Sequence, residues 1–479
     1  MIIARLEQLN SIQTTAGVNS LKMLFNEQPV GEDHTNKMCQ LLKEGVNLNY
    51  LKIDIKKQIQ FGDIIAKMLG QNLSNCKNLQ NLNLILINDN ISNEGSLHIS
   101  RGISECKNLT EVNLYLGYNL IGDNHSACIG QGLANCKKLT HLTIDLTKNI
   151  VVDDSVGFGQ QIAKLDNLTY LNLSFWRCQN FKEEGSTKIA QGIAKCKNLN
   201  TLIFDLSSTA IGQEGPSKFL HEISKSQTIS NLTLRLKNNE LDDNCMEKIG
   251  LSLIECKRLS SLSLDLSINN IGPQGAFNLG KSLGQCSNLN SLKLSFDVNK
   301  IGNKGIIGLG VVLSNCDNLQ SLDLEVWRNG IHPEGAKAFG EQISKSQNLK
   351  NLFLDFSENP IGKDGTLNLV NAITQTPKLS FLKLRFWQND IGNDLLEKIG
   401  EAASQIQNLC SLHLDLKQTL IGEKGCQRLV KQLRNCKQLS ALYLQLGGNN
   451  IPFKKGQKLG FEYNCLKISS LFRLDIKSI

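Results

Sequence analysis

The sequence predicts an α/β solenoid: about fifteen strand–turn–helix repeats in one continuous array, with parallel strands on one face and helices on the other. Three observations predict it. The chain repeats itself every 30 residues. Within each period the spacing of apolar residues switches from two to three or four. Asparagine and glycine recur at fixed offsets, where a turn is needed.

Taking the first apolar residue of each repeat as position 1, repeats begin at Val18, Leu48, Leu79, Leu109, Leu139, Leu168, Leu199, Ile229, Leu259, Leu289, Leu319, Leu349, Leu379, Leu409 and Leu439. A truncated one begins near Ile468. A length of 479 residues would ordinarily mean several domains with separate cores, but a period of this size overrides that expectation.

One repeat shows the physics: Leu259-x-x-Leu262-x-Leu264-x-Leu266-x-x-Asn269-x-Ile271-Gly272-x-x-Gly275. Positions 4, 6 and 8 alternate, the signature of a strand buried on one face. Position 11 is asparagine in nine repeats (Asn119, Asn149, Asn239, Asn269, Asn299, Asn329, Asn359, Asn389 and Asn449). A short amide there can bond main-chain groups left open where the strand ends. Thr209, Thr419 and Cys178 replace it in other repeats. Leu279, Leu283 and Cys286 then follow at intervals of four and three, on one helix face. Glycines at positions 14, 17 and 22 predict sharp turns and close helix approach. One repeat cannot bury its apolar face alone; stacked repeats bury it continuously.

The pattern Leu-x-x-Leu-x-Leu followed by Asn-x-Ile-Gly-x-x-Gly resembles the ribonuclease-inhibitor type of leucine-rich repeat. It is similar to the repeats of NOD-like receptors and of the GTPase activator of Ran. The resemblance covers nearly all of the chain beyond residue 17. This chain departs from the family by an extra strand-like pair in each repeat, and similar long, Asn- and Lys-rich repeats occur in ciliate proteins, some of them kinases. Neither a His-Arg-Asp catalytic loop nor an Asp-Phe-Gly motif is present here. The resemblance implies a leucine-rich-repeat solenoid, a curved horseshoe or superhelix. Strands about 4.8 Å apart and helices roughly 8–10 Å apart put the sheet on the concave side and the helices on the convex side. Residues 1–17, with Leu6, Leu9 and Ile12 at helical spacing, are expected to form an N-terminal helical cap. Residues 18–467 form the array, and residues 468–479 a C-terminal truncated repeat or cap.

Composition narrows the class. Apolar residues are 41% and charged residues 20% of the chain, as in folded soluble proteins. The net charge of +8 is spread over 52 basic and 44 acidic side chains without runs of like charge, so nucleic acid is not an expected partner. No apolar stretch has signal-peptide or membrane-span character, so no membrane association is expected. Of fifteen cysteines, nine (Cys76, Cys106, Cys136, Cys196, Cys256, Cys286, Cys316, Cys436 and Cys465) hold one repeat position. Singly recurring cysteines lack zinc-site spacing and read as packed thiols, which points to a reducing, cytoplasmic setting.

Two motifs invite misreading. Gly275-Ala-Phe-Asn-Leu-Gly280-Lys281-Ser282 matches the phosphate-loop pattern. Both glycines are repeat glycines, however, and Leu279 occupies a helix-core position, so the segment is expected to be helical with its amides committed. Asn108-Leu109-Thr110 matches a glycosylation acceptor, yet Asn108 and Asn167 recur with the repeat. His141 and His413 have no Cys or carboxylate partner at ligand spacing. No nucleophile–base pair is evident, so no enzymatic activity, catalytic residue, metal or cofactor is expected.

What remains is the outward strand face, positions 3, 5, 7 and 9. Position 7 carries Asp54, Asp145, Asp205, Asp265, Glu325, Asp355 and Asp415, interrupted by Arg235 and Arg385. All three tryptophans, Trp176, Trp327 and Trp387, fall at position 9. Aromatic and arginine anchors favour protein interfaces, and an acidic column suits a basic partner surface. The expected function is a protein–protein interaction scaffold or adaptor binding its partner on the concave face. The alternative is a regulator of an enzyme, an inhibitor or GTPase activator.

Overall fold

A computed structural model describes residues 1–26, 28–58, 62–151, 156–449, 451 and 473–477. The chain divides into two compact halves, Met1–Asn239 and Glu240–Ile479, each built as the repeat requires. Among the described residues the first half has nine parallel strands, from Ile2–Arg5 to Asn231–Arg235. The second has eight, from Ser261–Asp265 to Arg473–Lys477. Each strand from Ser20–Asn26 to Ser411–Asp415 is followed by a helix. The α/β class and the parallel repeat solenoid predicted from the sequence are therefore present.

Register follows the repeat. In the second half Leu292 pairs with Leu322, Leu322 with Leu352, and Leu352 with Leu382. Like residues stack on like. Leu322, Leu324 and Val326 are buried, while Ser321, Asp323 and Glu325 between them face partly outward. The helix Pro333–Ile343 returns Ala336, Phe339 and Ile343 to the same core. Its proline sits in the first turn, where no intrahelical N–H is lost. Each such Leu or Phe, removed from water, contributes about 1.5–3 kcal/mol.

Between strand and helix the backbone makes one demand that sequence patterning hides. Position 10 is left-handed in every described repeat, yet it is Lys57, Tyr118, Arg177, Ile268, Val298, Arg328 or Gln388 as readily as Gly448. A β-branched residue is the worst occupant, because its Cβ crowds the main chain at positive φ. Ile268 has φ 55° and a side chain 41% exposed, so it has little packing to lose. We expect Ile268→Asn to stabilise the protein by about 1 kcal/mol, read as a rise in the urea midpoint at unchanged slope.

Position 11 closes the turn. Asn359 donates from Nδ2 to the carbonyls of Val326 (2.8 Å), Phe356 (3.2 Å) and Ser357 (3.0 Å). Its Oδ1 accepts from the N–H groups of Asn329 (3.0 Å) and Ile331 (3.1 Å) in the preceding repeat. Asn119 and Asn149 make the same kinds of bond. Thr209 and Thr419 keep the bond to their own strand, and Cys178 Sγ lies 3.1 Å from the Leu146 carbonyl. A second amide ladder precedes position 1. Asn108 Nδ2 donates to Lys77 O at 2.9 Å, Asn167 to Lys137 O at 2.7 Å and Asn348 to Asp317 O at 2.8 Å. The glycosylation-like asparagines are thus engaged in repeat-to-repeat bonding.

Asp89 puts a carboxylate at position 11. It is 1% exposed. Oδ1 accepts the Gln58 N–H at 2.7 Å, but no donor among the described residues meets Oδ2. Burial pushes its carboxyl up to about 7, against the pull of the Gln58 amide and with help from Asp54. The folded state therefore holds a proton that the unfolded chain releases near pH 4, and stability falls as pH rises from 4 through 7. Asparagine here could donate to Leu86 O, as Asn119 Nδ2 does to Leu116 O. We expect Asp89→Asn to gain about 2 kcal/mol at pH 8 and nothing comparable at pH 4, by denaturation at both pH values.

The ends differ from the expectation. Residues 1–17 were expected to form a helical cap; instead Ile2–Arg5 is a strand parallel to Ser20–Asn26, with Ile2 beside Leu21 and Ala4 beside Met23. Only Leu6–Ser11 is helical, a 3-10 stretch burying Leu6 and Leu9. The three-residue spacing of those leucines fits the tighter helix, and the strand covers main-chain groups that an edge would leave open. At the other end Leu474 pairs with Leu442, so Leu474 holds position 4 of the last repeat, about three residues later than a start at Ile468 would put it. Cys465 and most of residues 468–479 lie outside the described residues.

Candidate functional site

The phosphate-loop match resolves first. Gly275 to Ser282 lies inside the helix Pro273–Leu283, so its amides do not converge on an anion. A Cβ at Gly280 would stand 2.2 Å from Gly308 O of the next helix, so the glycine serves helix contact. Of the repeat cysteines, Cys106 and Cys316 aim Sγ at the carbonyls of Leu73 (3.3 Å) and Leu283 (3.4 Å). Burial pushes the Cys106 thiol up to about 12, which leaves it unreactive. No described helix is long and apolar enough to cross a membrane.

The position-7 acids have a local task that sequence reasoning missed. Asp145, Asp205, Asp265, Asp355 and Asp415 each accept the N–H two residues on, at 2.9, 2.9, 3.0, 3.0 and 3.3 Å. The column caps strand ends. The signal was available: an aspartate at the last position of a strand is placed to accept the amide two residues on. Arg235 and Arg385 offset the column's repulsion. By register they stand beside Asp205 and Asp355, with Arg235–Asp205 at 3.8 Å and Arg385–Asp355 at 3.3 Å.

The predicted residues divide between the halves. Trp176, Asp205 and Arg235 belong to the first. There the Arg177 guanidinium stands over the Trp176 ring, 4.8 Å from its centroid. Asp265, Glu325, Trp327, Asp355, Arg385, Trp387 and Asp415 belong to the second, and five of these seven line one open hollow of about 520 Å³ (Trp327, Asp355, Arg385, Trp387 and Asp415). Glu325 lies on the strand leading to Trp327 and pairs with Lys293 at 3.1 Å. Trp327 and Trp387, two repeats apart, bring their ring centroids to 6.2 Å at 34°, a favourable tilted contact. Trp387 Nε1 donates to Gln418 Oε1 at 3.1 Å. Trp327 Nε1 is buried with no acceptor among the described residues.

Other lining residues were not foreseen. Asp297, at position 9 one repeat before Trp327, accepts the Trp327 main-chain N–H at 2.9 Å. Burial pushes its carboxyl up to about 7; the Trp327 amide opposes this, while Glu325, Asp355 and Asp265 add to it. Ser357, Lys417 and Gln445 complete the lining, with Lys417 Nζ 3.6 Å from Asp415. Beside the hollow runs an aromatic row on positions 3 and 5. Phe381 and His413 are 4.9 Å apart, and His413 stacks on Tyr443 at 3.9 Å. Lys383 and Arg385 stand over Phe353 at 4.2 and 4.9 Å. Burial, then the neighbouring Arg385, holds Lys383 below the ordinary lysine range. The sequence signal for this row was a run of rings at outward positions in consecutive repeats, diluted by the Ser and Asn that fill those slots elsewhere.

The surface offers ring faces, carboxylates and cations on a rigid sheet, which is the chemistry of recognition. Compared with protein-family models and with curated proteins, the chain matches none.

Proposed function

We propose that this chain is a leucine-rich-repeat protein of the ribonuclease-inhibitor-like type that acts as a non-catalytic, cytoplasmic scaffold, holding a protein partner on the outward sheet face of its second half. The observation that carries this reading is the Trp327–Trp387 contact. Two large rings meet at outward positions while positions 4, 6 and 8 supply the core. Rings placed where the fold does not require them, ringed by charge, have the composition of an interface hot spot.

The test is capture. Trp327→Ala combined with Trp387→Ala should weaken partner binding by about 2 kcal/mol or more, with little change in melting temperature. Proteins retained by the wild-type chain and lost by the double variant, identified by mass spectrometry, are the partners. If the double variant unfolds while its remaining folded part still binds, the rings are packing residues and the recognition surface lies elsewhere.

A further inference from the structure

We propose that the hollow beside Trp327 and Trp387 receives an arginine side chain from an extended segment of a protein partner, with Asp297 as its counter-ion and the tryptophan rings as its stacking surface. This deepens the proposed sheet-face recognition and rests on it.

Charge pairing within the hollow is one cation short. Arg385 faces Asp355 and Lys417 faces Asp415, whereas no ion pair joins Asp297 among the described residues. Its remaining neighbours make matters worse: Glu325, Asp355 and Asp265 all repel its charge. An incoming guanidinium supplies what is missing. The rings show the same vacancy. Trp176 carries its own cation, Arg177, but no cation stands over Trp327 or Trp387 among the described residues. Arginine suits both deficits better than lysine, because its planar head stacks on indole while donating to a carboxylate.

The hollow's lining contains no histidine, though His413 stands in the row beside it, so a binding dependence between pH 6 and 8 is assigned to Asp297 by its loss in Asp297→Asn. Binding favours its ionised form and strengthens as pH rises.

The experiment titrates the full chain with an acetyl-capped Arg-Gly-Arg-Gly peptide amide, by calorimetry and tryptophan fluorescence. Citrulline replaces both arginines in the control, preserving shape without charge. The arginine peptide should bind and change the fluorescence, and the citrulline peptide should bind at least tenfold more weakly. Affinity should rise several-fold from pH 6 to pH 8. Asp297→Asn, which keeps an oxygen for the Trp327 amide, should fold normally, lose about tenfold in affinity at pH 8 and lose the pH dependence. Equal binding of the two peptides, no binding of either, or affinity indifferent to Asp297→Asn overturns the proposal. Should the peptides fail while the double tryptophan variant still loses its partner, sheet-face recognition stands and only the arginine assignment falls.

Discussion

Replacing Asn359 by leucine is expected to destabilise the second half by about 4 kcal/mol or more. The side chain makes five hydrogen bonds and is 3% exposed. Leucine has the same branching but leaves the Asn329 and Ile331 amides and the Val326 carbonyl without a partner in a dry turn, while the Phe356 and Ser357 carbonyls keep donors in Asn389 and the Arg328 amide; each unsatisfied buried group costs about 1–3 kcal/mol. Threonine, the natural occupant at Thr209 and Thr419, should recover part of the loss because it keeps the bond to its own strand. Urea denaturation of Asn359→Leu and Asn359→Thr checks both statements. A leucine variant as stable as wild type would show that the ladder is decorative.

Gly280→Ala is expected to cost about 3 kcal/mol, at the upper end of what overpacking usually costs. The added Cβ would meet Gly308 O at 2.2 Å, Gly308 C at 2.5 Å and Leu309 N at 2.6 Å. All three are main-chain atoms of the neighbouring helix, so relief requires moving that helix. Lys281→Ala, one residue on and exposed, should be neutral within about 0.5 kcal/mol. A contrast of this size between adjacent positions, measured by thermal and urea denaturation, separates helix contact from anion binding. A phosphate-binding loop predicts the reverse ranking in nucleotide affinity.

The repeat made the strands, the helices and their stacking legible, because period, alternation and asparagine spacing each report a local requirement. Gly280 was readable as a contact glycine for the same reason. The N-terminal strand was not, since Ile2–Arg5 carries no repeat signature and pairs only because Ser20–Asn26 offers it an edge. The left-handed position 10 was hidden as well: Ile268 and Val298 occupy it against their own preference, held by the turn around them. At the site, the outward tryptophans were found from their column. The Asp297 carboxylate was missed because position 9 seldom holds an acid, and its importance comes from burial beside Trp327. The cap role of Asp205 and Asp355 was masked by reading the column down the sheet and not along each strand.

The asparagine ladder has a direction. Asn359 serves the amides of Asn329 and Ile331, one repeat earlier, and Asn149 serves Ile121 in the same sense. Each turn is therefore completed by the residue that follows it some 28 positions later in the chain. A growing polypeptide that has just exposed one repeat still lacks the side chain that finishes it, so folding during synthesis lags translation by a full repeat. In the finished molecule the same asymmetry makes fraying cheaper on the N-terminal side of any break than on the C-terminal side, because only there does a turn lose its closing amide.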